Sequence, residues 1–349
     1  MAVTQQRSGA NRSGASRSAS GSGPRGGIDL GGTKIQAVVV DHGHAVLGQA
    51  RQPTPRSGGP EGVAAAIADT LRQAGTEAGV ETNALQGLGV GSPGVVDGRT
   101  GTVTSARNLP GWEGTFDLGK ALESELGTPV DLGNDVQVAV DGEFHLGAGR
   151  PYDSLLGVFW GTGVGSGIYL DGKPWLGRSA AGELGHMVIR IDGRRCTCGR
   201  RGCVEAYAGR AAMEERAAKR VQKGVSTDLF KLMQKKGRDR LTSGIWARAL
   251  DRDDLLADKL IDDAVEALGA GIASACNLLD VEAVVIGGGL GSRLGEPYVE
   301  RIRAAMLPHL FSDDRPPAVH LAGLGDLGGA IGAALLVESR QPEAAAARS

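Results

Sequence analysis

Four side chains in one short stretch could hold a metal ion. His186, Cys196, Cys198 and Cys203 offer one imidazole and three thiolates within eighteen residues, the Cys₃His set that suits tetrahedral Zn²⁺. The spacing is Cys-x-Cys-x₄-Cys, not a paired Cys-x₂-Cys, so free buried thiols or a redox group stand as the competing reading. Arg194, Arg195, Arg200 and Arg201 flank the thiols and would lower their pKa under either reading. The fourth cysteine, Cys276, is far away, and this distribution fits a metal site in a reducing compartment better than a disulfide framework.

A second kind of chemistry is suggested by glycine. Asp29-Leu-Gly-Gly-Thr-Lys34, Gly161-Thr-Gly-Val-Gly-Ser-Gly167 and Gly287-Gly-Gly-Leu-Gly291 each sit at the end of an apolar, strand-like run. Turns without side chains let backbone N–H groups converge on an anion such as a phosphate. The Walker A pattern is absent, and the G-x-G-x-x-G matches at 89–94 and 323–328 lack the strand–helix context of a dinucleotide fold. Asn134-Asp135 follows a short strand at 130–132 and opens a helix, which suits either a simple N-cap or a general base at the mouth of a cleft. Glu183 and Glu205 bracket the metal motif; taken singly, such carboxylates are most often solvated surface groups.

The elements that must position these residues alternate in type. Residues 28–41 read as strand, glycine turn and β-branched strand, and 155–170 repeat that plan about 130 residues later. A third apolar strand, 283–286, runs into its glycines. Helical periodicity covers 61–78, 135–146, 205–221, 255–279 and 328–338, with Leu260, Ala264, Leu268 and Ile272 on one stripe. A Pro/Gly loop spans 53–60, and 223–252 is charged with little clear period, so a surface excursion is expected there. Glycine makes up 57 of 349 residues (57/349, about 16 per cent), more than twice the ~7 per cent of average usage. No three-residue period accompanies it, which excludes collagen, and a 41% hydrophobic content excludes general disorder. A length of 349 residues predicts two domains, or one large one, and a cleft between domains is expected. The net charge of −2 and the absence of a basic run argue against nucleic-acid binding, and the most apolar stretch, 268–290, is too interrupted to span a membrane. Residues 1–26 carry four arginines, many serines and glycines and no acid, so a disordered tail without a secretory signal is expected.

Together, Asp29–Lys34, Asn134-Asp135, Gly161–Gly167, Glu183-Leu-Gly-His186 and the Cys196–Glu205 segment resemble the ROK family of sugar kinases and repressors, most closely its zinc-containing bacterial glucokinases, over roughly residues 27–338. The resemblance implies an α/β fold of the actin-like (ribonuclease H-like) kind, two domains with an interdomain cleft. The small domain would be 27–133, completed by helix 328–338, and the large domain 134–327 with the zinc motif. It further implies ATP and Mg²⁺: Asp29 would bind the cation through water, Gly31, Gly32, Thr33 and Lys34 with Gly161, Thr162 and Gly163 would cradle phosphates, and Gly287, Gly288 and Gly289 would meet the adenosine. Asn108, Asn134, Asp135, Glu183, His186 and Glu205 would grip a hexose, and Asp135 would take the proton of its 6-hydroxyl. Zinc on His186, Cys196, Cys198 and Cys203 would be structural, orienting His186 and Glu205.

Glucose leads as the substrate, with fructose, mannose, N-acetylglucosamine and N-acetylmannosamine as alternatives, and polyphosphate is a rival donor. A sugar-responsive repressor is the alternative from another class; it would need an N-terminal helix-turn-helix, and only 26 aperiodic residues precede the first hairpin. The family implies a cytoplasmic homodimer or homotetramer, while composition and hydropathy argue against nucleic-acid and membrane partners.

Overall fold

The computed structural model describes residues 23–106, 109, 111–178 and 180–346, with side chains through Glu338. Its first strands, β1 (Arg25–Leu30) and β2 (Lys34–Val40), are buried along almost their whole length, as near-continuous apolar runs require when both sheet faces are covered. β1 pairs antiparallel with β2, and β2 with β3 (Val46–Pro53). β4 (Leu88–Ser92) and β8 (Val130–Asn134) extend the sheet in parallel, in the order β3-β2-β1-β4-β8. Between these last two lies a small antiparallel sheet of β5 (Val95–Asp97), β6 (Thr102–Thr104) and β7 (Thr115–Phe116).

The second half of the chain repeats the plan. β9 (Leu155–Trp160), β10 (Val164–Leu170), β11 (Lys173–Pro174), β12 (Ala283–Gly287) and β13 (Ala318–Leu321) form a sheet in the order β11-β10-β9-β12-β13. Its pairing senses match the first: an antiparallel hairpin at β9–β10, then parallel neighbours β12 and β13. The two similar hairpins in the sequence are thus equivalent positions of two like-ordered sheets.

Each sheet has its own apolar core. Helices α1 (Gly59–Ala78) and α2 (Leu118–Leu126) cover the first sheet with Ile67, Leu71, Leu118 and Leu122 against Ile28 and Val90. The second sheet is covered by α8 (Leu255–Leu279), whose Leu260, Ala264, Leu268 and Ile272 are all buried along the expected stripe. Asp254 starts that helix by accepting from the N–H groups of Leu256 (3.0 Å) and Ala257 (2.9 Å). The opposite faces of both sheets meet α3 (Asp135–His145) and α11 (Gly328–Ala346): Val136 and Val140 of α3 pack on Leu155 and Tyr169, and Ala330 and Ala334 of α11 pack on Val38 and Val40.

Much of the glycine excess belongs to these two helices. A Cβ at Gly89 would lie 1.8 Å from the carbonyl oxygen of Ala333, and one at Gly332 would lie 1.8 Å from that of Val138. Backbone therefore meets backbone where α11 crosses the first sheet and α3, a distance no side chain permits.

Two stretches differ from expectation. The helix expected at 205–221 is broken at Gly209 into α4 (Glu205–Ala208) and α5 (Arg210–Val221). The break has a cause: the N–H groups of Arg210 and Ala211 are donated to the carbonyls of Gly161 (3.2 Å) and Thr162 (3.1 Å). Residues 223–252 do not form a mere surface excursion. They hold α6 (Leu229–Lys235) and α7 (Ser243–Leu250), which deliver Leu229, Leu232, Ile245 and Trp246 to the second core. α9 (Gly288–Leu294) and α10 (Glu296–Met306) complete that layer. Among the described residues, no helix is long and apolar enough to cross a membrane.

Candidate active site

The parallel strands set the first group of residues. In register, Asp29 of β1 faces Gly91 of β4, which faces Gly133 of β8, and one step on Ser92 faces Asn134. Asp29, Asn134 and Asp135 therefore collect at the carboxyl ends of adjacent strands, the usual place for a ligand crevice in parallel sheets. The two readings of Asn134-Asp135 divide between the two residues. Asn134 Oδ1 accepts from the N–H groups of Val136 (3.1 Å) and Gln137 (3.2 Å), and so acts as the N-cap of α3. Asp135 is left as the first helical residue, its Oδ1 accepting from Val136 N–H at 3.0 Å.

Burial, reinforced by the negative charge of Asp29, pushes the Asp135 carboxyl up to about 6. Asp29 is itself pushed up by burial, with Lys34 acting in the opposite direction. Two half-buried carboxylates that repel one another are a poor structural device and a natural seat for a cation. The sign of the stability effect follows. Folding raises the Asp135 pKa above its ordinary value of 3.8, so its contribution is full below about pH 4 and is lost as pH rises through about 6. Asp135→Asn is expected to be more stable than the parent by about 3 kcal/mol at pH 8 and no more stable at pH 3.5, as read by denaturant unfolding of the ligand-free protein. Equal stabilities at pH 8 would contradict the placement of this carboxyl in a desolvated site.

The first glycine turn is braced by the residue after β3: Thr54 Oγ1 donates to the carbonyl of Gly31 (2.6 Å) and Thr54 N–H to that of Thr33 (3.3 Å). Gly32 and Thr33 at its tip are exposed, with Lys34 beginning β2. The second turn is shorter than expected. Gly161 N–H reaches Gly163 O at 2.9 Å, so the turn is Gly161-Thr162-Gly163 alone, and Val164 to Gly167 already belong to β10. Gly165 and Gly167 serve packing: a Cβ at Gly165 would lie 2.5 Å from Val136 Cγ2, and one at Gly167 would lie 2.9 Å from Val140 Cγ2. The base of the turn is fixed by Trp160, fully buried, whose Nε1–H donates to Ala208 O at 2.7 Å.

The third glycine segment is no loop, because Gly287 ends β12 and Gly288 begins α9 directly. Gly288 has φ 81, and a Cβ there would lie 2.7 Å from Trp160 N, so glycine is required twice over. The segment adjoins the second turn, since a Cβ at Gly161 would lie 3.9 Å from Gly289 N.

The cysteine motif closes on itself. Cys196 Sγ lies 3.8 Å from His186 Nδ1, Cys198 Sγ lies 3.7 Å from Cys203 Sγ, and all four donor atoms fall within 4.8 Å of one another. A tetrahedron with zinc's usual bond lengths has edges of about 3.5–3.8 Å, so the donor set fits that ion in kind, the two shorter separations match it, and the widest needs a contraction of about 1 Å. The flanking arginines lower one thiol and not all three: hydrogen bonds from Arg200 N–H and from the neighbouring thiols outweigh burial at Cys198 and bring it to about 7, whereas burial pushes Cys196 up and Cys203 up to about 12. Arg194 does something else. It pairs with Asp263 of α8 and lies over the Tyr207 ring at 4.4 Å, which pins the loop to the helices beneath.

Glu183 and Glu205 are not equivalent bystanders. Glu183 Oε2 lies 3.9 Å from His186 Nε2, the ring nitrogen turned away from the thiols. Glu205 ties two motifs together: Thr197 Oγ1 donates to its Oε1 (3.2 Å) and Val164 N–H to its Oε2 (3.0 Å). A Cβ at Gly163 would lie 2.3 Å from Glu205 Oε2, so that glycine makes room for the carboxylate. Sequence reading missed this link and the roles of Thr54, Trp160 and Tyr207, each a polar contact made across distant segments. Asn108 lies outside the described residues.

The whole arrangement has relatives. The model of the ROK family matches residues 25–340. A glucokinase of Halalkalibacterium halodurans is 32% identical over 320 residues, covering 90% of this chain and 95% of that protein. An N-acetyl-D-glucosamine kinase of Shigella boydii is 31% identical, covering 89% of this chain and 98% of that protein. The crystal structure of a ROK glucokinase from Streptomyces griseus in complex with glucose and AMPPNP superimposes with a TM-score of 0.78 at 33% identity, covering 91% of this chain and all of that one. With five motifs in order, two like-ordered sheets and a family match over nearly the full length, this chain belongs to the ROK family.

Proposed function

We propose that the protein is an ATP-dependent hexose kinase that phosphorylates the sugar 6-hydroxyl, with glucose as its substrate. The observation that carries this is the division of labour at 134–135: Asn134 takes the helix cap, which leaves the half-buried Asp135 carboxylate to accept a proton at the carboxyl ends of the strands. A base of pKa about 6 is ionised at neutral pH yet basic enough to draw the proton from an attacking hydroxyl. The glucokinases among the relatives support glucose, and the N-acetylglucosamine kinase supports an N-acetylhexosamine as the second reading.

In this reading the sugar hydroxyls are held by Asn134, Asp135, Glu183, His186 and Glu205, and the ATP phosphates by the turns at 31–34 and 161–163, with 287–289 beside the adenosine. Asp29 would hold Mg²⁺, which neutralises charge on the phosphoryl oxygens when bound. His186, Cys196, Cys198 and Cys203 would hold Zn²⁺, which supplies rigidity and no bond-making. Glu205 then couples the two halves of the reaction, because its carboxylate braces the residue that follows the second phosphate turn. The test is a coupled assay of the purified protein with ATP and Mg²⁺ against glucose, fructose, mannose, N-acetylglucosamine and N-acetylmannosamine, comparing kcat/KM. Glucose is expected to lead. No phosphorylation of any sugar, together with sugar-sensitive binding to a specific DNA site in a gel shift, would move the protein to the repressor branch.

A further inference from the structure

Arg210 is the first residue of α5 and lies directly behind the second glycine turn. Its backbone N–H donates to Gly161 O at 3.2 Å, and its guanidinium donates through Nη2 to Thr162 Oγ1 at 2.7 Å and through Nη1 to Leu241 O at 3.1 Å. Its Nε is buried without a hydrogen-bond partner. Among the described residues no carboxylate comes within ion-pair distance of it, and burial holds its pKa below the ordinary arginine value, with the charge of Glu214 acting in the opposite direction. The nearest carboxylate, Glu214, is committed to Leu241 N–H and not to the guanidinium, so an anion bound at the turn would add to the stabilisation of this partly buried cation.

The hydroxyl of Thr162 shows where that anion would lie. A threonine oxygen has one proton to give and lone pairs to accept with, whereas a guanidinium can only donate. The Nη2 contact therefore occupies a lone pair of Thr162 Oγ1 and leaves its proton directed to another acceptor. Thr162 is exposed at the tip of the turn, so that acceptor is a group outside the protein. We infer that Arg210 is a positioning residue for phosphoryl transfer: it orients the Thr162 hydroxyl to donate to a phosphate oxygen of the bound nucleotide and places a positive charge one hydrogen bond behind that contact. The inference rests on the proposed reading of 161–163 as a phosphate turn.

Arg210 also joins the turn to its neighbour. Leu241 is clamped by α5 on both sides, its carbonyl by Arg210 and its N–H by Glu214 Oε2 at 3.1 Å. Two residues on, Ser243 Oγ lies 3.7 Å from where a Cβ of Gly289 would stand. Arg210 thus touches the turn at 161–163 and the segment that leads into α7, while the glycines at 287–289 are held independently by the pairing of β12 with β9.

The experiment compares Arg210→Gln, Arg210→Lys, Thr162→Val and the Arg210→Gln/Thr162→Val double variant. It reads kcat/KM for ATP, the sugar KM, the thermal midpoint, and the affinities for ADP and for adenosine. Loss of a hydrogen bond from a charged group predicts a fall of about 10- to 100-fold in kcat/KM for ATP in Arg210→Gln. Sugar KM and thermal midpoint should stay near the parent values. The double variant should be little worse than either single one, because the two side chains act through one contact. ADP affinity should fall while adenosine affinity holds, and Arg210→Lys should recover part of the loss. Unchanged ATP kinetics in Arg210→Gln beside an impaired Thr162→Val would overturn the role of Arg210 and leave the phosphate turn standing. Equal losses for ADP and adenosine would reduce Arg210 to a structural brace and overturn it as well. ATP kinetics of the parent kind in Thr162→Val would instead remove the phosphate-turn reading on which the inference rests.

Discussion

Replacing Asp135 with asparagine is expected to lower kcat by about 10²- to 10⁴-fold, the usual contribution of a positioned general base, with a much smaller change in sugar KM. Asparagine keeps the shape of the side chain and can still hydrogen-bond a hydroxyl, but it cannot carry the proton away. The parent enzyme should also show a rising limb in kcat/KM near pH 6, where the Asp135 carboxyl ionises, with the rate growing about tenfold per pH unit below it. That limb should be absent from the variant. Asn134→Ala provides the contrast, because Asn134 caps α3 with two accepted hydrogen bonds. Its loss should reduce stability by about 1 kcal/mol and leave the pH limb in place. A rate in Asp135→Asn within tenfold of the parent would exclude this carboxylate as the base, whatever the fate of the fold.

The features legible in the sequence were those whose cause is local. A β-branched run after Asp29-Leu-Gly-Gly-Thr-Lys34 has few alternatives to a hairpin, and the stripe of Leu260, Ala264, Leu268 and Ile272 needs only helical geometry to be seen. The metal cluster is legible because its four ligands lie close in the chain. Where the cause is a distant partner, local patterns fail. Residues 205–221 keep helical periodicity throughout, yet the helix breaks at Gly209 because two N–H groups are drawn to carbonyls of a turn some fifty residues earlier. In 223–252 the two apolar stripes are each shorter than three turns and are parted by charged residues, so neither stands out.

Glycine shows both cases side by side. Gly161 and Gly163 open a turn, whereas Gly165 and Gly167, in the same run, are glycine because α3 lies against them. Composition cannot tell a residue that leaves room for a ligand from one that leaves room for a helix. The same holds for Glu205, whose place between Thr197 and Val164 is a fact of the tertiary structure.

Removal of the metal should act on the sugar half of the site through geometry. Purified protein is expected to carry one zinc per chain, and a strong chelator or Cys198→Ser to abolish that content and raise the sugar KM by tenfold or more. Structural zinc in small sites supplies about 10–16 kcal/mol of apparent binding energy at neutral pH, far more than the backbone bonds that remain to the loop, such as Cys196 N–H to Arg200 O at 2.8 Å. With the ion gone, His186 loses the partner that fixes its ring, and the segment bearing Thr197, which holds Glu205 Oε1, loosens with it. The base of the loop should survive, because Arg194 is still paired with Asp263 and stacked on Tyr207, both on helices of the second core. The metal-free protein should therefore unfold at a lower temperature but remain folded at 25 °C. Its ATP KM should change less than its sugar KM, since the turn at 161–163 is also anchored by Trp160 and α5. Chelation that left sugar KM and thermal midpoint untouched, with the metal measurably gone, would mean that the four ligand atoms hold their positions without an ion and that the loop owes its order to Arg194 and Tyr207 instead.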